Sequence, residues 1–313
     1  MNPLPATVVI TTKNRKEDLC KGIVSTLSQT VSLKILVIDD GSTDGTFDLV
    51  RREFPQVQIH RSETSLGLIV QRNCAARLAE TPIVVSIDDD AIFSTPRVME
   101  VTLRDFNHPR IGAVAIPVVD VNRSPSIRNQ APNAAGNYAL YDYVGTAHAL
   151  RRDIFLKLGG YREILIHQGE EEDYCIRMLN AGYITRAGNA DPIHHFESPR
   201  RSWTRMDYFG ARNKVLYAWH NVPFPYFPKH LAATTAMTAT YSMKPGRMLT
   251  RLRGVLAAYG TILTGRTTRQ PVGGSVYKVS RKLKQRGPVA WEEIEPLMSP
   301  TLNLGNTSHV FHA

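Results

Sequence analysis

The residues best placed to do chemistry stand at the end of Val84-Val85-Ser86-Ile87, where an apolar run meets Asp88, Asp89 and Asp90. Three adjacent carboxylates repel one another, so a positive partner is expected among them. A divalent cation is the natural one, because the hard oxygens of aspartate suit Mg2+ or Mn2+. A lone triplet of this kind is also what a solvated acidic loop looks like, so its meaning depends on what the chain brings to the same place. Two more acidic clusters occur. Asp39 and Asp40 precede Gly41-Ser42-Thr43-Asp44-Gly45, residues that favour turns and helix caps. Glu170, Glu171, Glu172 and Asp173 follow Gly169 and lead into a helical pattern over 174–181 that Gly182 closes. Acids in a first turn complement the helix dipole, but that does not explain why all four are present.

The elements that must position these groups are readable from periodicity. Ala6–Thr12 and Lys34–Asp39 are β-branched, apolar runs and predict buried strands, with further strands at 58–60 and 82–87. Between them, Lys16–Leu27 (Leu19, Ile23 and Leu27 on one face), 46–54 and 69–79 have helical spacing. Strand and helix alternate, which predicts parallel βαβ units in a doubly wound α/β sheet with helices on both faces. Ligands in such sheets sit beyond the carboxyl ends of the strands. Here those ends carry Thr11 and Asn14, Asp39 and Asp40, and Asp88 to Asp90. Neither GxGxxG nor GxxxxGK[ST] follows the first strand; the residues there are Thr-Thr-Lys-Asn. A bound diphosphate would then be neutralised by a metal on aspartates rather than by a glycine-rich helix start, which points to sugar-nucleotide chemistry.

Composition narrows the class. The chain has 313 residues, 42% of them hydrophobic, enough for a sizeable core. Cys20, Cys74 and Cys175 form no CxxC pair and fall in predicted helices, the pattern of a reduced, cytoplasmic protein without structural zinc or disulfides. Val8-Val9-Ile10 is too short for a signal peptide, and the uncharged stretch 231–243 falls short of the roughly 20 residues a membrane span needs. The net charge of +10 is unevenly placed: residues 200–290 hold 17 Lys or Arg and one acid, Asp207. Such a segment faces something anionic (a membrane surface, a nucleic acid or an acidic ligand) or serves as a solubilising face. Against nucleic acid, no RNP, helix-turn-helix or zinc-finger signature is present and the rest of the chain is slightly acidic. Against a nucleotidyltransferase, the basic glycine-rich loop after the first strand is missing.

Taken together, seven stretches resemble the family 2 glycosyltransferases of GT-A fold over roughly residues 6–200. They are VVITTKNR, VIDDGSTDGT at 37–46, GLIVQRN at 67–73, SIDDDA at 86–91, GTAHALRRDIFLKLGGYRE at 145–163, GEEEDYCIRMLNAGY at 169–183 and HHFESPRR from His194. The resemblance implies an inverting, metal-dependent enzyme that moves a sugar from a nucleotide diphosphate donor to a glycan or lipid-linked acceptor in surface polysaccharide synthesis. It implies that Thr11 and Asn14 line the base pocket and that Asp40 accepts a pyrimidine N–H, favouring a UDP- or dTDP-sugar. Lys13 stands where the family often has an aromatic residue. Arg72 matches a basic residue near the donor phosphates, its plain alternative being a surface helix arginine. Asp88 and Asp90 match the outer members of the DxD motif, with Asp88 and Asp89 on the donor side and Asp90 on the metal. Glu170 and Glu171 match the acidic pair that carries the general base, Glu171 at the base position with one methylene more than the family's usual Asp. His195, favoured over His194 by its spacing to Ser198, matches a second metal ligand. One imidazole with carboxylates suits Mn2+ at least as well as Mg2+.

The implied organisation is a nucleotide-sugar-binding half at 1–105, an acceptor-binding half at 106–199, and a basic helical extension at 200–313 with a poorly ordered tail at 299–313. Arg200, Arg201, Trp203 and Arg205 would lie over phosphates or a charged acceptor, and 208–220 is helical. In 244–264, Leu249, Leu252, Val255 and Leu256 recur opposite Arg247, Arg251 and Arg253, predicting an interfacial helix on the anionic inner leaflet of the plasma membrane or, alternatively, a helix packed on the core or at an oligomer contact. The identity of sugar and acceptor is left to loops such as 118–136, Pro- and Asn-rich with no readable motif.

Overall fold

The structure, a computed structural model, describes residues 4–197, 202–240, 245–298 and 300. The expectations for Arg200, Arg201, Lys244 and nearly all of the tail lie outside these residues.

The first half forms β1 (Ala6–Thr12), α1 (Lys16–Leu27), β2 (Lys34–Asp39), α2 (Thr46–Glu53), β3 (Gln58–Arg61), α3 (Leu68–Leu78) and β4 (Ile83–Asp88). These strands pair in parallel in the order β3-β2-β1-β4. Val8, Val9, Ile10, Val37, Val85 and Ile87 are all buried, as continuous apolar strands covered on both faces must be. Register decides what the strand ends present: Thr11 lies opposite Ile38 on one side and Asp88 on the other, and Thr12 opposite Asp39. The polar ends therefore converge on one edge.

The second half runs β5 (Ala91–Phe93), α4 (Val98–Arg104), β6 (Ile111–Ala115), β7 (Val118–Asp120), β8 (Ser124–Arg128), β9 (Tyr138–Leu140), β10 (His148–Arg151), α5 (Arg152–Lys157), α6 (Glu170–Asn180), β11 (Ile184–Ala187) and β12 (Ile193–His195). β10 inserts antiparallel between β4 and β6, so the two halves share one sheet, and β6 pairs in parallel with β11. Residues 118–136, without a motif in the sequence, supply the β7–β8 hairpin of a second sheet ordered β5-β12-β7-β8. The strand expected at 145–150 is confined to β10, because Ala147 N–H turns back to the Val144 carbonyl. α6 starts four residues earlier than expected, at Glu170 itself. The three cysteines are free and lie in α1, α3 and α6.

The rest forms α7 (Trp203–Asn221), α8 (Phe227–Thr240), α9 (Pro245–Leu263), α10 (Gly274–Arg286), β13 (Val289–Ala290) and α11 (Trp291–Ile294). β13 adds to the large sheet beside β9, and Val276, Leu283, Trp291 and Ile294 join the main core. α7 and α9 approach closely at Gly254, where a Cβ would overlap the Tyr208 carbonyl. The arginines of α9 do not point as the sequence suggested. Arg247 donates to Asp207 on α7 at 2.6 and 2.9 Å, and Arg251 donates to Asp207 at 3.0 Å and to the Thr238 carbonyl at 2.8 Å. Two cations expected to face a membrane are thus spent on the one acid of the segment, because Asp207 is buried and needs partners.

Candidate active site

The carboxyl edge of the large sheet opens into two cavities. The larger, about 1050 Å³, is lined by Asp88, Gly145, Glu170, Glu171 and Arg128 among others. The smaller, about 290 Å³, is lined by Thr11, Lys13, Asp40, Asp89 and Asp90. Arg15, Leu68, Asp88 and His195 line both, so they form one continuous cleft.

At its centre Arg72, on α3, has a side chain only 4% exposed. Nη2 donates to Asp88 and to the Gly145 carbonyl, both at 2.9 Å, and Nη1 donates to Glu170 at 3.2 Å and Glu171 at 3.4 Å. One guanidinium thus ties the end of β4 to the start of α6, and the three carboxylates hold it firmly charged despite its burial. Arg72 is therefore neither a surface arginine nor free for donor phosphates: its terminal nitrogens are engaged by protein. Arg15, which the sequence reading passed over, is the half-buried cation in both cavities. Its Nη1 lies 3.0 Å from Asp89 and 2.6 Å from Asp90.

The aspartate triplet divides. Asp89 turns inward, accepting from the Thr12 hydroxyl at 2.8 Å as well as from Arg15, and burial pushes its carboxyl up to about 7. Asp88 and Asp90, two residues apart beyond a strand end, point together into the cleft. The small sheet sets His195 opposite Ala91 and Asp120, and His195 Nε2 lies 3.2 Å from Asp90. Asp88, Asp90 and His195 each offer an atom within 4.8 Å of the others. Asp88, expected on the donor side, thus also stands beside Asp90 and His195 as a candidate ligand. The donor set fits Mn2+ or Mg2+, and two features of the surroundings agree. His195 Nδ1 is buried without a hydrogen bond, with Asp120 3.6 Å away to orient the ring. Thr11 Oγ1, in the wall of the smaller cavity, is likewise a buried hydroxyl with no partner. Asp120 was hidden in the motif-free loop.

Asp40 and Asn14 are placed differently from expectation. Asp40 accepts from Ser65 Oγ at 2.6 Å, Leu66 N–H at 2.7 Å, Gln71 Nε2 at 2.6 Å and Gly67 N–H at 3.2 Å. Burial would raise its carboxyl, but these donors lower it below the usual range. Its oxygens hold the loop before α3 and leave no free acceptor for a base N–H. Asn14, in the left-handed region at φ 55°, accepts from Thr43 N–H at 2.8 Å and lines neither cavity; it staples the first two strand ends. Asp39 accepts from Ser42 N–H at 2.8 Å, the turn role its sequence context suggested.

The four acids of α6 also separate. Asp173 accepts from Arg177 at 2.9 Å, Asn221 at 2.8 Å and Arg162 at 3.2 Å, and Glu172 takes Lys284 at 2.6 Å and the Tyr141 hydroxyl. These two are structural. Glu170 and Glu171 alone face the cleft with Arg72. Burial and the neighbouring Glu170 push Glu171 up to about 8, with Arg72 opposing, and burial also raises Glu170. Asn213 of α7 fixes the approach to this helix: its Nδ2 lies 2.7 to 2.9 Å from the carbonyls of Leu165, His167 and Gln168. No signal in the sequence marks Asn213. The arrangement offers a cation-binding corner and, across the width of one arginine, a carboxylate with raised proton affinity: a stabiliser of leaving negative charge and a candidate proton acceptor.

The chain is similar to several known glycosyltransferases. Residues 7–159 match the sequence model of the family described as Glycosyl transferase family 2. A curated relative, the pre-mycofactocin glycosyltransferase of Mycobacterium tuberculosis, is 27% identical over 83% of this chain and 56% of its own length, so the chain spans about half of that protein. The O-antigen chain rhamnosyltransferase WbaN of Salmonella anatum is 25% identical over 67% of this chain and 79% of its own. Among solved structures, the mannosyltransferase PcManGT of Pyrobaculum calidifontis, in complex with GDP-Man and Mn2+, superposes with a TM-score of 0.57 over 91% of this chain and 84% of its own, at 20% identity, a likeness of fold.

Proposed function

This chain belongs to the family 2 glycosyltransferases, and on that premise we propose that it transfers one sugar, with inversion, from a nucleoside diphosphate donor to a hydroxyl of a glycan or lipid-linked acceptor. The observation that carries the reading is Arg72, which holds Asp88 and Glu171 on facing sides of one cleft. Asp88, Asp90 and His195 would hold Mn2+ or Mg2+, whose charge neutralises a departing nucleoside diphosphate. Thr11 offers its unpartnered hydroxyl to the donor side. Arg15 supplies the positive charge nearest the phosphates. Glu171, ionised, takes the proton from the acceptor hydroxyl as that oxygen attacks the anomeric carbon; the bond from this carbon to the phosphate oxygen breaks, and its electron pair leaves on the nucleotide. Glu170, closer to Arg72, keeps Glu171 basic by charge repulsion.

The choice of nucleotide is open to the base pocket. The preference for uridine or thymidine rested on Asp40, whose oxygens are occupied. GDP-Man in the Pyrobaculum calidifontis structure makes a guanosine donor a candidate beside the UDP- and dTDP-sugars. The named O-antigen relative supports an acceptor in surface polysaccharide synthesis. No helix among the described residues is long and apolar enough to cross a membrane, and a peripheral position on the cytoplasmic leaflet belongs to this proposal. Incubation with UDP-, dTDP- and GDP-sugars plus Mn2+ or Mg2+, with and without EDTA, tests it. Nucleoside diphosphate release from one donor class, abolished by EDTA, is the expected result; no release from any donor with either ion defeats the reading.

A further inference from the structure

α9 is inverted with respect to its charges. Arg247 and Arg251 turn to Asp207, while Val255 and Ala258 pack with Ala211, Val215 and Leu216 of α7. The opposite face presents Leu249, Leu252, Leu256 and Leu263, spaced by three, four and seven residues and therefore in one stripe, at 49%, 42%, 61% and 84% exposure. α8, packed beside it, exposes Met237 at 70%, and Phe224 before α8 is 67% exposed. A helix that turns two arginines inward to Asp207 and leaves four leucines outside has its apolar face turned away from its own protein.

Charge says what covers that face. Asp207 is the one acid in residues 200–290 and is already neutralised, while Arg253, beside the leucines, and Lys229 and Arg266 near the helix pair are exposed. A second copy docked by the same face would set these cations against their own kind with no acid between them. An anionic bilayer matches both features at once: acyl chains for the leucines, lipid phosphates for the cations. We infer that the leucine face of α9 is a membrane-docking surface that lies in the headgroup region of an anionic leaflet, flanked by Arg253. The other, arginine-bearing side of α9 lies near the cleft. Arg247 and Arg251 line a cavity of about 350 Å³ that shares Gln168, Gly169 and Met206 with the larger cavity of the active site. The docking does not rest on the functional reading above.

Flotation of the full chain with phosphatidylglycerol-containing and with pure phosphatidylcholine vesicles tests it, for wild type, Leu252→Ser/Leu256→Ser and Arg253→Glu. Wild type is expected to float with the anionic vesicles and to be released by high salt, as its electrostatic share is screened. The serine pair, losing about half the burial of two leucines each, should bind roughly ten- to thirtyfold more weakly. Arg253→Glu should lose the preference for the anionic lipid. Melting temperature and nucleoside diphosphate release, both independent of this face, report that the variants are folded. Failure of wild type to float with anionic vesicles, or undiminished binding by the serine pair, overturns the inference. So does a wild-type dimer in sedimentation that the serine pair dissociates. If no donor is turned over but vesicle binding behaves as stated, the docking face stands and the transfer reading alone falls.

Discussion

Gly145 is the position where a single methyl group most directly tests the proposed base. Its carbonyl accepts from Arg72 at 2.9 Å, and a Cβ there would overlap Glu171 Oε1 and lie 2.8 and 3.0 Å from the two terminal nitrogens of Arg72. Its backbone is not left-handed, so alanine costs space rather than conformational strain. Arg72 is buried among four acceptors and has nowhere to go. The Glu171 carboxylate is the end of a flexible chain and yields, moving about 1 Å. Because the displaced atoms are a side-chain tip, the stability loss should sit near 1 kcal/mol, the low end of overpacking. A shift of about 1 Å in a reacting group costs on the order of 100-fold in rate, or about 2.7 kcal/mol of barrier. The assay is steady-state release of nucleoside diphosphate from whichever donor raises the melting temperature of wild type. Gly145→Ala should keep that donor-induced rise, since Asp90 and His195 are untouched, and lose about 100-fold in kcat. A folded Gly145→Ala protein turning over within threefold of wild type would refute the assignment of Glu171 as base.

Four other outcomes follow from the geometry. Mn2+ or Mg2+ should raise the wild-type melting temperature reversibly with EDTA, by about 2.7 kcal/mol of stability at a hundredfold excess over Kd, and Asp90→Asn/His195→Ala should abolish the rise in a calorimetric titration. With Glu171 pushed up to about 8 by burial and by Glu170, kcat/KM should climb with pH up to that value and level above it, and Glu171→Gln should remove the climb along with 100-fold or more of the rate. The same raised affinity means the folded state holds this proton more tightly than the unfolded chain, whose ordinary value is 4.5; its contribution to stability is whole below that pH and lost as pH rises through about 8, a trend that denaturant titrations of Glu171→Gln should lack. Asp207→Ala should cost about 3 kcal/mol in urea unfolding, because Arg251 then stays buried without its carboxylate.

What the sequence made legible is what periodicity encodes. The runs at 6–12, 34–39 and 83–88 are continuously apolar because helices cover both faces of the parallel strands, so strands and polar ends could be placed within a residue or so. Residue type marked the acidic clusters at 88–90 and 170–173, and the family resemblance picked out Asp88, Asp90, Glu170, Glu171 and His195, which the structure brings into one cleft. Partner choice was beyond it. Asp40 is a suitable acceptor for a base, yet four protein donors reach it first; Arg72 is a suitable phosphate ligand, yet three carboxylates from distant segments surround it. Asp120 acts through the pairing of β7 with β12, contacts some 75 residues apart that no local pattern signals. Two arginines of α9 were misplaced for a related reason. The helix's amphipathic period was right, but which stripe faces the protein was decided by Asp207, forty residues earlier on α7.

The charge balance of the cleft explains why so much of it is internally tied. Asp88, Glu170 and Glu171 gather on Arg72, and Asp89 and Asp90 on Arg15. Five carboxylates against two guanidiniums cannot all be ionised at low dielectric, and the raised proton affinities of Asp89, Glu170 and Glu171 are how the excess negative charge shows itself. A site made only for stability would use fewer acids, since each unmatched buried charge costs several kcal/mol. The surplus makes sense in a cleft built to receive positive charge on one side and to accept a proton on the other. Arg72 then has a reason to be arginine rather than lysine: its planar fork reaches both sides at once, Nη2 toward Asp88 and Nη1 toward Glu170 and Glu171, so the spacing between cation corner and base is set by a rigid group rather than by two independent loops.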